Sequence, residues 1–254
     1  MNKRKKIIWT AIGAVIILAA AGGCVFAYRS RAEPEIETAI TTDYVSVPVY
    51  TGRTFSAVEP QKVGDRYMDN LMSRMLETYN QIRGTDYQAW TDDQVSYTTQ
   101  GEYSTEAEWR EYLREKYAEI EQQRAKADTG QMILKEISSE AVLLQFNESD
   151  YAAAEEDVAE QLILGNGFTS IEELLQELEW SENEYQDKAE EAVLENLKLD
   201  CVTQAIAEAE GLEPSEAELM EAEEEYGSEK MEGWKRAKTI ENVRKFLVDN
   251  NDIE

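Results

Sequence analysis

Proline is confined almost entirely to the first quarter of the chain. Pro34, Pro48 and Pro60 precede the first predicted helix, and Pro214 is the only proline that follows. Because proline breaks a helix interior, its scarcity allows long helices over the remaining residues. Apolar side chains there recur at spacings of three and four residues, which is typical of one helical face. The sequence therefore predicts an all-α domain over residues 61–254.

Local start and stop signals divide this domain into separate helices. Ser181 and Glu184 form the Ser-x-x-Glu pattern of a capping box, in which each side chain accepts from a backbone N–H of the other residue. Ser104 is the predicted N-cap of an earlier helix, which is expected to run to about Ile137 with a weak point at Asp128-Thr129-Gly130. The predicted helices span 61–82, 104–137, 147–164, 169–179, 181–210, 214–226 and 228–248.

The segment before these helices has a different pattern. Apolar and polar residues alternate from Tyr44 to Tyr50, and Pro48 interrupts the alternation. Such a pattern is typical of an edge strand or of an extended tether, since proline cannot donate to a sheet ladder. We expect residues 32–60 to form an extended linker.

The first 31 residues are predicted to be a membrane anchor or signal segment. Four basic side chains in MNKRKK precede an uncharged, mostly apolar run over residues 7–28. As a helix this run would extend roughly 33 Å, which is enough to cross the hydrocarbon core of a bilayer. The more positive flank normally stays in the cytoplasm, so the rest of the chain is expected outside it, at the cell membrane.

Three interpretations of this segment compete. The apolar run continues past the small residues at its centre, which disfavours a cleaved signal peptide. An uncleaved single-pass anchor fits the length best. The third is a lipoprotein signal, because Ala21-Gly22-Gly23-Cys24 resembles a lipobox and makes Cys24 a candidate lipidation site. Alanine at the first of these positions and the apolar residues after Cys24 favour the anchor. Both an anchor and a lipid would tether the chain on the same side.

Charge limits the partners of the remaining chain. Residues 1–31 contain six of the 25 basic residues and none of the 53 acidic ones, so residues 32–254 carry a formal charge of −34. Nucleic acid is excluded as a partner because phosphates require a basic surface. An anionic lipid surface would also repel this part of the chain. Unfolded polypeptides would not be repelled, and the charge would keep an otherwise sticky protein soluble.

The residue types that carry most enzyme chemistry are scarce. The chain contains no histidine, and Cys201 is the only cysteine outside the predicted anchor. These counts remove the Ser-His and Cys-His nucleophile pairs and the usual zinc ligand sets. Gly165-Asn166-Gly167 lacks the following lysine of a phosphate-binding loop. We therefore expect no catalytic, cofactor or metal site, and we interpret Cys201 as a core residue and the glutamate-rich runs as solvated helix faces.

Five segments of the C-terminal half follow a recognisable order. They are WSENEY at 180–185, LKLDCVTQAIAEAEGL at 197–212, PSEAE at 214–218, YG at 226–227 and VRKFLV at 243–248. This order of a capped helix, a glutamate-glycine stop, an acidic restart, a tyrosine-glycine break and a closing apolar helix resembles the C-terminal chaperone domain of trigger factor. Exported parvulin-type foldases have a related helical module.

The resemblance continues upstream with two gaps. Residues 97–114 resemble the entry to the first arm helix of that family, and residues 44–82 resemble the stretch before its prolyl isomerase domain. The isomerase domain itself and the ribosome-binding domain are missing here. The resemblance implies a multi-helix cradle that shelters unfolded chains without ATP, without isomerase activity and without binding the ribosome. It transfers no catalytic residue.

These observations predict a membrane-tethered, extracytoplasmic holdase for unfolded or secreted polypeptides rather than an enzyme. Methionine-rich helix faces suit the binding of many apolar partners. The same faces also suit ordinary packing against neighbouring helices. The candidate client-binding residues are Met68, Leu71, Met72, Met75, Tyr79, Trp109 and Tyr112. The alternative function is a helical scaffold or adaptor that docks one specific cell-envelope protein.

Overall fold

A computed structural model of the protein describes residues 37–254, which are mainly helical. This confirms the predicted helical class. The helices are α1 (Asp65–Arg83), α2 (Asp92–Thr98), α3 (Glu106–Glu140), α4 (Glu148–Leu164), α5 (Ile171–Leu178), α6 (Glu182–Glu210), α7 (Glu216–Tyr226) and α8 (Met231–Asp249), with a 3₁₀ turn at Ser228–Lys230. The short strands are β1 (Thr38–Thr41), β2 (Val45–Pro48), β3 (Thr54–Phe55), β4 (Val142–Leu143) and β5 (Asp252–Ile253).

The ends of most helices lie where the sequence signals place them. The Ser181 side chain accepts from the backbone N–H of Glu184, whose carboxylate accepts in turn from Ser181, so the predicted capping box is present. Ser215 and Glu218 form an equivalent box at the start of α7. Gly211 ends α6 with a φ of 65°, a left-handed conformation that glycine adopts without steric cost.

The structure differs from the prediction at three points on the helices. The cap of α3 is Thr105 and not Ser104, because the Thr105 hydroxyl accepts from the backbone N–H of Glu108. Asp128-Thr129-Gly130 does not interrupt α3, since the Thr129 hydroxyl donates back to the carbonyl of Ala125 within the helix. Helix α2 lies in a stretch for which no helix was predicted, and Thr91 and Gln94 cap it with a further box.

The chain divides into two compact units. Among the described residues, unit 1 contains 37–53 and 131–252, and unit 2 contains 54–130 and 253–254. The division falls within the segment predicted as a linker and again within α3. Each unit has buried apolar residues of its own.

Unit 1 combines a small sheet with the C-terminal helices. Its sheet is antiparallel with the strand order β1-β2-β4, so β2 is central and β4 lies at one edge. Helix α6 packs against α4, α8 and β2. Helix α6 therefore lies among several neighbours within this unit.

The predicted linker over 32–60 is structured in its described part. Val45 and Val47 on β2 have exposed fractions of 1% and 0%, and Tyr50 and Phe55 are also buried. The alternation from Tyr44 to Tyr50 places every second side chain on one face, and that face is covered. Pro48 is tolerated at the last position of β2, where the ladder ends.

Unit 2 is built from α1, α2 and the first part of α3. Its core contains Met68, Met72, Trp90, Val95 and Trp109 among other buried residues. The rings of Trp90 and Trp109 meet edge to face with centroids 5.0 Å apart, and the Trp90 indole N–H donates to the backbone carbonyl of Met72 at 3.0 Å. Edge-to-face packing with a satisfied indole N–H is a stable way to bury tryptophan.

Candidate functional site

Four of the seven predicted client-binding residues lie inside the unit 2 core. Met68 has an exposed fraction of 0%, and Leu71, Met72 and Trp109 are also buried. Periodicity identified the apolar face of α1 correctly, but α2 and α3 cover most of it. A bound chain would reach Met68, Met72 and Trp109 only if the core opened, whereas Leu71 also lines an open groove.

The other three predicted residues are at least partly accessible. Tyr112 is exposed on α3 and stacks on Tyr103 with ring centroids 4.9 Å apart. Met75 and Tyr79 on α1 are half-buried at the edge of the core. The structure therefore does not bring the seven residues together on one open surface.

An open groove of about 950 Å³ runs along α1 in unit 2. Of the predicted residues, Leu71 and Met75 contribute to its walls. Side chains from α3 complete it on the opposite side. The lining residues are Gln61, Lys62, Arg66, Tyr67, Asn70, Leu71, Arg74, Met75, Thr78, Tyr117, Glu121 and Arg124.

One carboxylate in this groove is buried and fully engaged. Glu121 has an exposed fraction of 4%, and it accepts from the Tyr67 hydroxyl at 3.0 Å and from the Arg124 guanidinium at 3.4 Å. Burial, and then the hydrogen bond to Glu121, raise the pKa of Tyr67, so this hydroxyl stays a donor. The hydrogen bond between Tyr67 and Glu121 holds both side chains in place in the wall of the groove.

Unit 1 carries an exposed apolar strip that was not predicted from the sequence. Val142, Leu144 and Phe146 follow one another at every second position, and their exposed fractions are 47%, 51% and 42%. Tyr44 is exposed at 40%, and its backbone carbonyl accepts from the N–H of Leu144 at 2.7 Å. We call these four residues the edge strip. Singly exposed apolar residues are ordinary, but contiguous ones mark interaction surfaces.

The backbone of the edge strip is open on one side. In the antiparallel pairing of β2 with β4, Val142 lies opposite Ser46 and Leu143 lies opposite Val45. Because alternate residues direct their backbone groups to opposite sides, Leu143 presents its N–H and C=O to the free edge. Its side chain packs instead against the unit 1 core around Leu174. Within residues 37–254 no further strand extends this edge.

A sequence signal for the edge strip did exist. The run AVLLQF at 141–146 contains alternating large apolar residues directly after a helix and before the polar start of α4. Two ladder residues are too few for a strand prediction, and the run joins the apolar pattern of α3 smoothly. Only the pairing with β2, about a hundred residues earlier in the chain, makes it a strand.

Cys201 of unit 1 lies beside acidic groups. Burial, and then the charge of Asp200, raise the pKa of the half-buried Cys201 thiol, so its reactive thiolate form is disfavoured. Asp200 is itself paired with Arg236. Among the described residues there is no group of three or more metal-ligating side chains.

The predicted anchor over 1–31 and the candidate lipidation site Cys24 lie outside the described residues. Within residues 37–254 every helix is too short or too polar to cross a membrane.

Comparison of the sequence with protein-family models and with curated proteins gives no match.

Proposed function

We propose that the protein is a membrane-tethered, extracytoplasmic holdase of the trigger factor-like kind, without isomerase activity. The edge strip is the observation that carries this proposal. Four exposed apolar side chains lie beside a free strand edge in a unit that is otherwise strongly acidic. The resemblance of the C-terminal helices to the trigger factor chaperone domain and the predicted N-terminal anchor support it.

The strip offers an unfolded chain two kinds of contact at once. The free N–H and C=O of Leu143 can pair with the backbone of an extended segment, which adds a strand to the sheet. Val142, Leu144 and Phe146 offer apolar surface to alternate side chains of that segment. Backbone pairing is independent of sequence, so many different clients would be accepted weakly, as a holdase requires.

The charge around the strip limits unproductive association. Glu140 precedes it, and Glu148 and Asp150 follow it in the first turn of α4. An apolar strand edge is ordinarily an aggregation hazard, and nearby charges of one sign oppose the pairing of two such edges. Repulsion between copies of this acidic chain would keep the strip available for clients.

The proposal is tested with the full-length chain in detergent micelles or nanodiscs. Light scattering would follow the aggregation of several chemically unfolded clients, with the chain present at near-stoichiometric amounts. We expect the wild-type chain to suppress aggregation and the variant L144D/F146D to lose most of that effect, because charge on the strip opposes apolar contact. Met220→Asp is the matched control, since Met220 is 73% exposed on α7 outside the strip.

Failure of the wild-type chain with every client would overturn the proposal. Equal activity of L144D/F146D and the control would remove the edge strip as the binding surface. Pull-down from solubilised envelope fractions tests the adaptor alternative. One folded partner at fixed stoichiometry, in place of many unfolded ones, would establish an adaptor.

A further inference from the structure

The side chains that line the groove of unit 2 carry a net positive charge, although the chain is strongly acidic. Its lining contains four cations, Lys62, Arg66, Arg74 and Arg124, and one carboxylate, Glu121. Residues 32–254 as a whole carry a formal charge of −34. The groove therefore has a local excess of positive charge, whereas the chain as a whole is strongly acidic.

Two of the three acidic residues of α1 pair with arginines of α3. Asp65 pairs with Arg114 at 3.0 Å, and Asp69 pairs with Arg110. Asp65 and Asp69 are four residues apart, so they lie on one row of the helix. Arg66 and Arg74 lie on a different row, which opens onto the groove. Asp65 and Asp69 therefore lie on a different row from the groove arginines, and Glu77, the third acidic residue of α1, is not among the residues that line the groove.

Within the described part of the chain, three of the groove cations have no acidic partner. Lys62, Arg66 and Arg74 are exposed, and none of them forms an ion pair with another residue of the described chain. Other arginines of this acidic protein, such as Arg53 and Arg110, have carboxylate partners. Accessible guanidinium groups in a groove are well suited to bind carboxylates, which they can grip with two parallel hydrogen bonds.

The spacing of the cations fits a polypeptide. Arg66 and Arg74 are eight residues apart on α1, which places them about 12 Å apart along the helix axis. In an extended chain, side chains four positions apart point the same way and lie roughly 13 Å apart. The groove is also lined by Leu71, Met75 and Tyr117, against which apolar side chains of such a segment can pack.

We propose that this groove binds an acidic polypeptide segment that carries two carboxylates four positions apart with apolar residues between them. Arg66 and Arg74 hold the two carboxylates, Lys62 and Arg124 add long-range attraction, and Leu71 and Met75 contact the apolar residues. The site is separate from the edge strip, and its ligand preference does not depend on holdase activity. Elsewhere the acidic surface repels such a segment, so the groove confers selectivity as well as affinity.

The test is fluorescence anisotropy on the full-length chain in nanodiscs made from neutral lipids. The probe is a short labelled peptide with two glutamates four positions apart and leucines between them. The control peptide has glutamine in place of each glutamate. We expect the double variant R66Q/R74Q to bind the glutamate peptide at least about fivefold more weakly, with each lost pair counted at the modest strength of an exposed ion pair.

The double variant K230Q/K245Q is the matched control. It removes the same net charge from two exposed lysines outside the groove, and we expect it to bind like wild type. Equal affinity for the glutamate and glutamine peptides, or equal losses in the two double variants, would overturn the proposal. Peptide binding without aggregation suppression would leave the groove in place and remove the holdase, so the two failures are distinguishable.

Discussion

Individual side chains join parts of unit 1 that are far apart in sequence. The Tyr50 hydroxyl donates to a carboxylate oxygen of Glu210 at 2.6 Å, and its ring lies against Phe246 with centroids 6.5 Å apart. Burial, and then the hydrogen bond to Glu210, raise the pKa of Tyr50 above its ordinary value. The hydroxyl therefore stays protonated and the bond persists throughout the neutral range.

Replacement of Tyr50 with phenylalanine tests this contact. The ring still fills its place, and water can reach the exposed Glu210, so the loss is limited to one hydrogen bond with a charged acceptor. We expect Tyr50→Phe to lower the free energy of unfolding by about 1–2 kcal/mol. Urea denaturation measures it, and Tyr87→Phe, which alters an exposed tyrosine of unit 2, should change stability by less than about 0.5 kcal/mol. Equal effects would show that the Tyr50–Glu210 bond contributes nothing.

Sequence periodicity locates residues on a face but does not show what covers that face. The spacing of Met68, Leu71 and Met72 predicted the apolar side of α1, and the structure buries all three. Their cover includes Trp90, which lies just before α2 in a stretch with no predicted helix. The short, polar α2 has too few residues for a clear period, so the burial of this face of α1 was not predictable.

Helix ends are the elements that the sequence predicts best, because capping depends on neighbouring residues. The boxes at Ser181 and Ser215 need only a serine and a glutamate three positions later. The start of α3 differs by one residue because Ser104 and Thr105 are both good caps. Glu108 stands three positions after Thr105 and accepts from its backbone N–H at 3.2 Å, which completes a box at Thr105.

A pair of alanine substitutions distinguishes the two caps of α3. We expect Thr105→Ala to cost about 1 kcal/mol of unfolding free energy, since it leaves the N–H of Glu108 without its acceptor. Ser104→Ala should be nearly neutral. Urea denaturation gives the two values, and amide exchange at Glu108 should quicken in Thr105→Ala alone. A larger cost for Ser104→Ala would place the cap where the sequence first suggested it.

Strands were the least predictable elements, because each depends on distant partners. Strand β2 could be read as an edge strand or a tether, yet it is the central strand of its sheet, with Val47 fully buried. Strand β4 has only two ladder residues, and β1 pairs with β2 through a register shift between Thr38 and Ile40. The edge strip depends on these long-range pairings, so it could not be predicted from the sequence.

The acidic character of the molecule sets up two opposite responses to pH. Burial raises the pKa of Glu195 and of Asp200, the latter despite its Arg236 partner. Backbone hydrogen bonds at helix starts lower the pKa of Glu184 and Glu218. A raised carboxyl pKa means that the folded chain takes up a proton before the unfolded chain does, and a lowered pKa means the reverse.

The free energy of unfolding should therefore pass through a maximum on the acid side of neutrality. As pH falls from neutral through the raised pKa values of Glu195 and Asp200, the folded state binds more protons and gains stability. Near the ordinary glutamate pKa and below it, the capping carboxylates of Glu184 and Glu218 become protonated, and their contribution is lost. Urea midpoints over a pH series measure this curve.

Because Glu195→Gln cannot titrate, it should show a smaller rise on acidification than wild type. If wild type and Glu195→Gln gain the same stability on acidification, the gain comes from relief of charge repulsion. Added salt should then produce a similar gain at neutral pH.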